Sequence, residues 1–353
     1  IPLFIVAANI MNAGTISDRL LNFCVAVVGR FRGGLGHVNV VSNMIFAGMS
    51  GSAVADAVGL GKIVIGMMVK KNYAPGYAAA ITAAATLAPR LASAAPRPLR
   101  KAIMYSTIGV KGTTLEKFTA MKAAGFEGIE PMGGMNREEV VAAFRATGLG
   151  AASVCCHIHW VKPLSAPDEP TRRLGFEGLE LSLRDAHAYG AGSVLLVPGV
   201  ARNGVTYQDC WDRSIAEIRR AIPIARDLGV RIAIENVGND FITTPRQAVD
   251  YLDAINSEWV GWHFDIGNAG RYGPAEAWIA ALGKRILRIH VKDFTSKTPP
   301  AGARAAERPR LLDGETNWPA VMRALDAAGY AGWAITEQPG PQTADVATAR
   351  EMT

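Results

Sequence analysis

The 353-residue sequence predicts an α/β fold, a (βα)8 barrel over residues 101–353, preceded by an all-α, membrane-type helical segment over 1–89 and a linker over 90–100. Three observations predict it. One junction, an Ala-rich helix ending in Gly and followed within one to three residues by a short apolar strand, recurs five times in the second region. Eight strands can be placed in the roughly 250 residues of that region, the number a (βα)8 barrel needs. Charge divides by position: residues 1–100 hold 9 Lys and Arg against 2 Asp and Glu, and residues 101–353 hold 28 against 29. The net charge of +6 therefore describes neither part.

A composition 49% hydrophobic and 19% charged excludes disordered and collagen-like chains. The four cysteines, Cys24, Cys155, Cys156 and Cys210, form no CxxC and no disulfide framework, so a reducing compartment, the cytoplasm for the barrel, is expected. The chain starts without Met, and no basic stretch precedes the uncharged Ile1–Ser17, so a secretory leader is not expected and the sequence reads as beginning inside an element.

In the first region, uncharged stretches at Ile1–Ser17, Gly33–Ala55 and Asn72–Pro89 are separated by basic clusters such as Arg30/Arg32 and Lys70/Lys71. Their lengths approach the roughly 20 residues that cross a bilayer as a helix. They are rich in Gly, Ala, Ser and Asn, which suits tightly packed or re-entrant membrane helices. A soluble Ala/Gly-rich helical layer is the plainer alternative. The runs NIMNAGTISDRLLNF (9–23), RGGLGHVNVVSNMIFAGMSGSAVADAVGLG (32–61) and YAPGYAAAITAAATLAP (73–89) resemble the large permease subunit, DctM-like, of tripartite ATP-independent periplasmic (TRAP) transporters. The resemblance implies an inner-membrane segment that associates with other TRAP subunits. It also implies an ion site in the stretch Gly48–Asp56, with Ser50, Ser52 and Asp56 as candidates. Close helix packing explains the small residues there equally well. About 90 residues cannot assemble a transport pathway.

In the second region the repeated junctions are MKAAGFEGIEPM (121–132), RATGLGAASVCC (145–156), AHAYGAGSVLLV (186–197), ARDLGVRIAIEN (225–236) and DAAGYAGWAITE (326–337). Gly at the helix end accepts the left-handed conformation that closes a helix. The Val/Ile/Leu runs that follow suit a parallel sheet covered on both faces. Strands at 102–109, 260–267 and 286–293 complete the eight.

Barrel chemistry sits at the C-terminal ends of the strands. Those ends carry Glu130, then His157 and His159, then Glu235 and Asn236, Asp265, His290 and Lys292, and Glu337. Glu235, Asp265, His290 and Glu337 close four consecutive strands and should converge. Three carboxylates and an imidazole make a hard, mostly oxygen site for Mn²⁺, Mg²⁺ or Co²⁺, with Zn²⁺ admitted. Without a cation the carboxylates should raise one another's pKa. Any one of them alone is as readily an N-cap for the following helix. His187 and His263 are expected to be isolated structural residues, and Cys155 and Cys156 core.

The segments AIENVGNDF, WHFDIGNAGRYG, RILRIHVKDF and LLDGETNWPAVMRALDAAGYAGWAITEQ resemble the sugar phosphate isomerase/epimerase family of xylose-isomerase-like TIM barrels. The resemblance spans 101–345. It implies that Glu235, Asp265, His290 and Glu337 ligate a metal, that Glu235 and Glu337 also move the proton, and that His157 faces the substrate. Asn268 stands where ketose 3-epimerases tend to have histidine, which counts against a 3-epimerase. The expected activity is isomerisation or epimerisation of a sugar, sugar phosphate or small hydroxy-keto acid through an enediolate, with His157, Asn268 and Lys292 on the substrate. An endonuclease IV-like repair enzyme ranks lower, because that chemistry needs more histidines and a basic surface, and the barrel carries −1. No nucleic-acid partner is expected, and a homo-oligomer is compatible with the barrel. A membrane transport subunit is the non-enzyme reading, and both hold if the chain joins a truncated permease to a neighbouring isomerase.

Overall fold

The computed structural model describes residues 16–31, 34–50, 60–82, 99–296, 309–338 and 343–353. The chain divides into two compact units, Ile1–Arg97 and Pro98–Thr353.

In the first unit, helices Ile16–Val28, Gly34–Ser50 and Leu60–Lys70 enclose a small core of Cys24, Val38, Val64, Met68 and Ala78. Asn39 Nδ2 donates to Thr82 Oγ1 at 2.7 Å within it. Among the described residues no helix is long and apolar enough to cross a membrane. Ser50 is the last described residue of Gly34–Ser50, and Ser52 and Asp56 lie outside the described residues.

The second unit is one parallel sheet of nine strands in the order β3-β2-β1-β9-β8-β7-β6-β5-β4. The strands are β1 Arg100–Met104, β2 Gly128–Glu130, β3 Gly150–Ala151, β4 Val154–Cys155, β5 Ser193–Leu196, β6 Arg231–Glu235, β7 Val260–Asp265, β8 Ile286–Val291 and β9 Trp333–Thr336. The eight expected become nine because the third strand is interrupted at Ala152 and Ser153. β3 pairs with β2 and β4 with β5, so the two ends of the sheet are one stretch of chain. A Met132–Cys155 bridge ties the continuation of β2 to β4. Side chains satisfy the interruption: Arg288 Nε donates to the Ala152 carbonyl at 2.6 Å, and Ser153 Oγ to the Ser193 carbonyl at 3.2 Å. The first strand also differs from the expected 102–109. It opens at Arg100, whose N–H donates to the Gly332 carbonyl at 2.8 Å, and gives way after Met104 to a 3-10 turn at Tyr105–Thr107.

The five Gly junctions are seen directly, with Gly125, Gly148, Gly190, Gly229 and Gly329 at φ between 65° and 107°. At the other ends of the helices, Thr113 with Glu116, Thr206 with Asp209 and Thr244 with Gln247 form reciprocal capping boxes. The main core lies between sheet and helices, around Phe118, Phe126, Tyr251, Trp262 and Trp278. Burial of each such side chain contributes about 1.5–3 kcal/mol. That closed layer leaves the strand ends on β6 to β9 as rigid mounts.

Candidate metal centre and active site

Parallel register sets the four strand-end side chains side by side. Glu235 pairs with His263, Asp265 with His290, and His290 with Ile335, two residues before Glu337. Glu337 N–H donates to the Val291 carbonyl at 3.1 Å and so continues the β8–β9 ladder. One ligand atom from each of Glu235, Asp265, His290 and Glu337 can be chosen so that all lie within 4.8 Å of one another. His290 Nδ1 is 3.2 Å from Glu235 Oε1, 3.3 Å from Glu337 Oε2 and 3.7 Å from Asp265 Oδ2. The Lys292 ammonium sits 2.7 Å from Asp265 Oδ2 and 2.5 Å from Glu337 Oε2.

The two sequence expectations for Asp265 hold together on different oxygens. Oδ1 accepts the Asn268 N–H at 2.7 Å and caps the short helix Ile266–Ala269, while Oδ2 turns to the cluster. Asn236 fixes this arrangement. Its Oδ1 accepts from Asp265 N–H at 2.9 Å and Trp262 Nε1 at 3.1 Å, and its Nδ2 donates to the Asp265 carbonyl at 2.8 Å. Asn236→Ala would strand these buried groups, so a loss of about 1–3 kcal/mol is expected in denaturant unfolding. An unchanged midpoint would show that Asn236 clamps nothing.

Burial pushes the Glu235 carboxyl up to about 7, and Glu337 and Asp265 add to the shift against the pull of His290. Burial acts the same way on Glu337, but Lys292 and His290 outweigh it and hold Glu337 well below the usual carboxylate range. The two diverge because His290 lies against both, whereas the Lys292 ammonium lies on Glu337. Burial disfavours the His290 imidazolium, yet Glu130, Asp265 and Glu235 overcome it and hold the ring well above its ordinary value.

Glu235, His290 and Glu337 floor a cavity of about 350 Å³ whose walls include His157, His159, Trp160, Asn268, Arg271 and Lys292, while Asp265 is fully buried and does not line it. His157 is exposed at this cavity, against Gly134. Gly134 has φ +76°, and a Cβ there would come within 3.2 Å of the His157 ring. Its N–H donates to Asp185 Oδ2 at 2.8 Å, which fixes the loop behind the ring. Asn268 Nδ2 donates to the Asn236 carbonyl at 3.0 Å, and its amide oxygen has no hydrogen bond among the described residues. His159 accepts the Val197 N–H on Nδ1 at 3.2 Å, and burial, then His157, lowers its pKa to about 3. It is therefore neutral, with its proton on Nε2.

The hard oxygen and nitrogen donor set of Glu235, Asp265, His290 and Glu337 fits a divalent cation.

Residues 118–353 match the model of the xylose isomerase-like TIM barrel family. The chain belongs to that family. Residues 1–125 match the DctM component of the tripartite ATP-independent periplasmic transporter, so the two matches overlap at 118–125. The sialic acid TRAP transporter large permease protein of Vibrio cholerae is 36% identical over 110 residues, 31% of this chain and 26% of that protein. The chain spans about a quarter or less of the curated relatives it matches. Among solved structures, the E. coli 3-keto-D-glucoside 4-epimerase superposes with a TM-score of 0.60 at 17% identity, covering 72% of this chain and 97% of that one. A family 2 AP endonuclease from Brucella melitensis gives 0.59 at 19%, covering 70% and 95%. These likenesses show the barrel fold.

Sequence reasoning gave Glu130 no role and set His263 apart. Both are fully buried beside the cluster, with Glu130 Oε2 2.8 Å from His290 Nε2 and the His263 ring edge-on to His290 at 4.2 Å. Arg271 and Trp160 on the cavity wall were also missed; they follow the strand ends by several residues, in loops without a periodic signal.

Proposed function

We propose that the barrel is a divalent-metal-dependent isomerase or epimerase, acting on a sugar, sugar phosphate or small hydroxy-keto acid. The observation that carries this reading is the four-donor cluster of Glu235, Asp265, His290 and Glu337, of which Glu235, His290 and Glu337 line an open cavity. Mn²⁺, Mg²⁺, Co²⁺ or Zn²⁺ held there would polarise a substrate carbonyl and acidify the neighbouring C–H. One of Glu235 and Glu337, both within 3.3 Å of His290 Nδ1, removes the proton, and the same or the opposite one returns it. Return to the neighbouring carbon of the enediolate gives isomerisation, and return to the other face of the same carbon gives epimerisation.

One Lys292 N–H donates to Glu337 and the ammonium is ion-paired with Asp265, so donors remain for a hydroxyl or phosphate oxygen. His157 and the free amide oxygen of Asn268 serve the same purpose. The test is a screen of the purified chain with Mn²⁺ against ketoses, their phosphates and hydroxypyruvate. Turnover of none of the three classes would remove the reading.

We further propose that residues 1–89 are a large-permease segment of membrane type, that 90–100 link it to a cytoplasmic barrel, and that catalysis needs the barrel alone. The match of 1–125 to the DctM component supports the first point, and the separate unit Pro98–Thr353 the last. Expressed alone, Pro98–Thr353 is expected to be soluble and to keep the activity of the full chain within about twofold. A fragment starting at Lys101 should be less stable. It loses the Arg100 guanidinium, 3.7 Å from the centre of the Trp333 ring, a contact of about 0.5–2 kcal/mol. An insoluble or inactive Pro98–Thr353 would show that the first unit is required.

A further inference from the structure

The two ring nitrogens of His290 face different surroundings. On the Nδ1 side Glu235, Glu337 and Asp265 wait within 3.7 Å. On the Nε2 side there is, among the described residues, one hydrogen-bond acceptor, Glu130 Oε2, at 2.8 Å. Glu130 is fully buried at the end of β2 and does not line the cavity. Its other oxygen has no hydrogen-bond partner among the described residues and lies 3.9 Å from His263 Nε2. Both His263 nitrogens also lack partners among the described residues, and the ring packs edge-on against His290.

A carboxylate only accepts hydrogen bonds, so the hydrogen bond to Glu130 requires the proton on His290 Nε2. When the ring gives up its other proton, the neutral imidazole that remains carries its lone pair on Nδ1, toward the cluster. Were Glu130 absent, the single proton of the neutral ring would be drawn to Nδ1 by the three carboxylates on that side. The ring would then offer no lone pair to a cation. Histidine ligands are oriented in this way by an acceptor on the far nitrogen.

We propose that Glu130 is a positioning residue that selects the Nε2–H tautomer of His290 and so makes it a ligand, with His263 as the wall that holds the ring in place. The proposal rests on the metal reading of the site above.

The test is titration of the metal-stripped full chain with Mn²⁺, followed by calorimetry, for the wild type, Glu130→Leu, Glu130→Gln, His290→Asn and the Glu130→Leu/His290→Asn double variant. Glu130→Leu is expected to weaken Mn²⁺ binding about 10- to 100-fold. Glu130→Gln keeps an acceptor for Nε2–H and should recover most of the affinity. In the His290→Asn background Glu130→Leu should cost nothing further, because it acts through His290. Glu130→Met replaces Glu130→Leu if the latter does not fold.

Three results overturn the proposal: wild-type affinity in Glu130→Leu, an equal loss with and without His290, or two ions per chain, which would make Glu130 and His263 ligands. A wild type that binds no Mn²⁺ removes the metal reading itself, an outcome distinct from the other three.

Discussion

Glu235→Gln and Glu337→Gln are each expected to lower turnover by about 100- to 10,000-fold while the fold survives, the range lost when a positioned proton-transfer group is removed. Glutamine preserves shape and one oxygen, so the 7% exposed Glu235 site creates no cavity on substitution. The two variants should differ in detail. Glu337 is the partner of both Lys292 and His290, so Glu337→Gln leaves a buried ammonium with Asp265 alone and should also lower the unfolding midpoint. Glu235→Gln removes a carboxyl that burial already holds near neutrality and should leave stability close to the wild type. Assays of kcat with circular dichroism on the same samples separate the effects. Full activity in either variant would remove that residue from the proton path.

The barrel was legible because its signals are local and repeated. Each Gly closing a helix at positive φ, and each apolar run behind it, is a decision made within about a dozen residues. The four donors were legible for the same reason, since a strand end is a sequence position and the fold class supplies the convergence. Glu130 was visible as a strand end, but its partner His290 is 160 residues away, and only the closed sheet brings the two together. The split third strand was hidden because Ala152 and Ser153 are unremarkable in sequence. The Ala152 carbonyl is satisfied by Arg288, and the Ser153 hydroxyl reaches the Ser193 carbonyl, both from elsewhere in the barrel. Lys292 shows the same limit. Its place after the seventh expected strand suggested a substrate contact, whereas its pairing with two of the proposed ligands depends on the register of β7, β8 and β9.

Chelation is expected to bring activity to background, and added Mn²⁺ to restore it. The ion pairs of the cluster set how this depends on pH. In the metal-free protein His290 titrates well above its ordinary value, so Nδ1 carries a proton at neutral pH, and Glu235 titrates near 7. A cation must displace both protons, because it binds the unprotonated nitrogen and the carboxylate. Raising the pH removes competitors, so apparent affinity should rise with pH and most steeply around pH 7, where Glu235 loses its proton. Lys292 adds competition that pH does not relieve. Asp265 and Glu337 outweigh the effect of burial and keep it charged, and its ammonium lies against two of the four donors. Lys292→Met should therefore tighten Mn²⁺ binding while it lowers turnover, if the same ammonium also serves the substrate. Activity that survives exhaustive chelation at pH 6, where the site should hold its ion least, would mean that the proton transfer needs no cation.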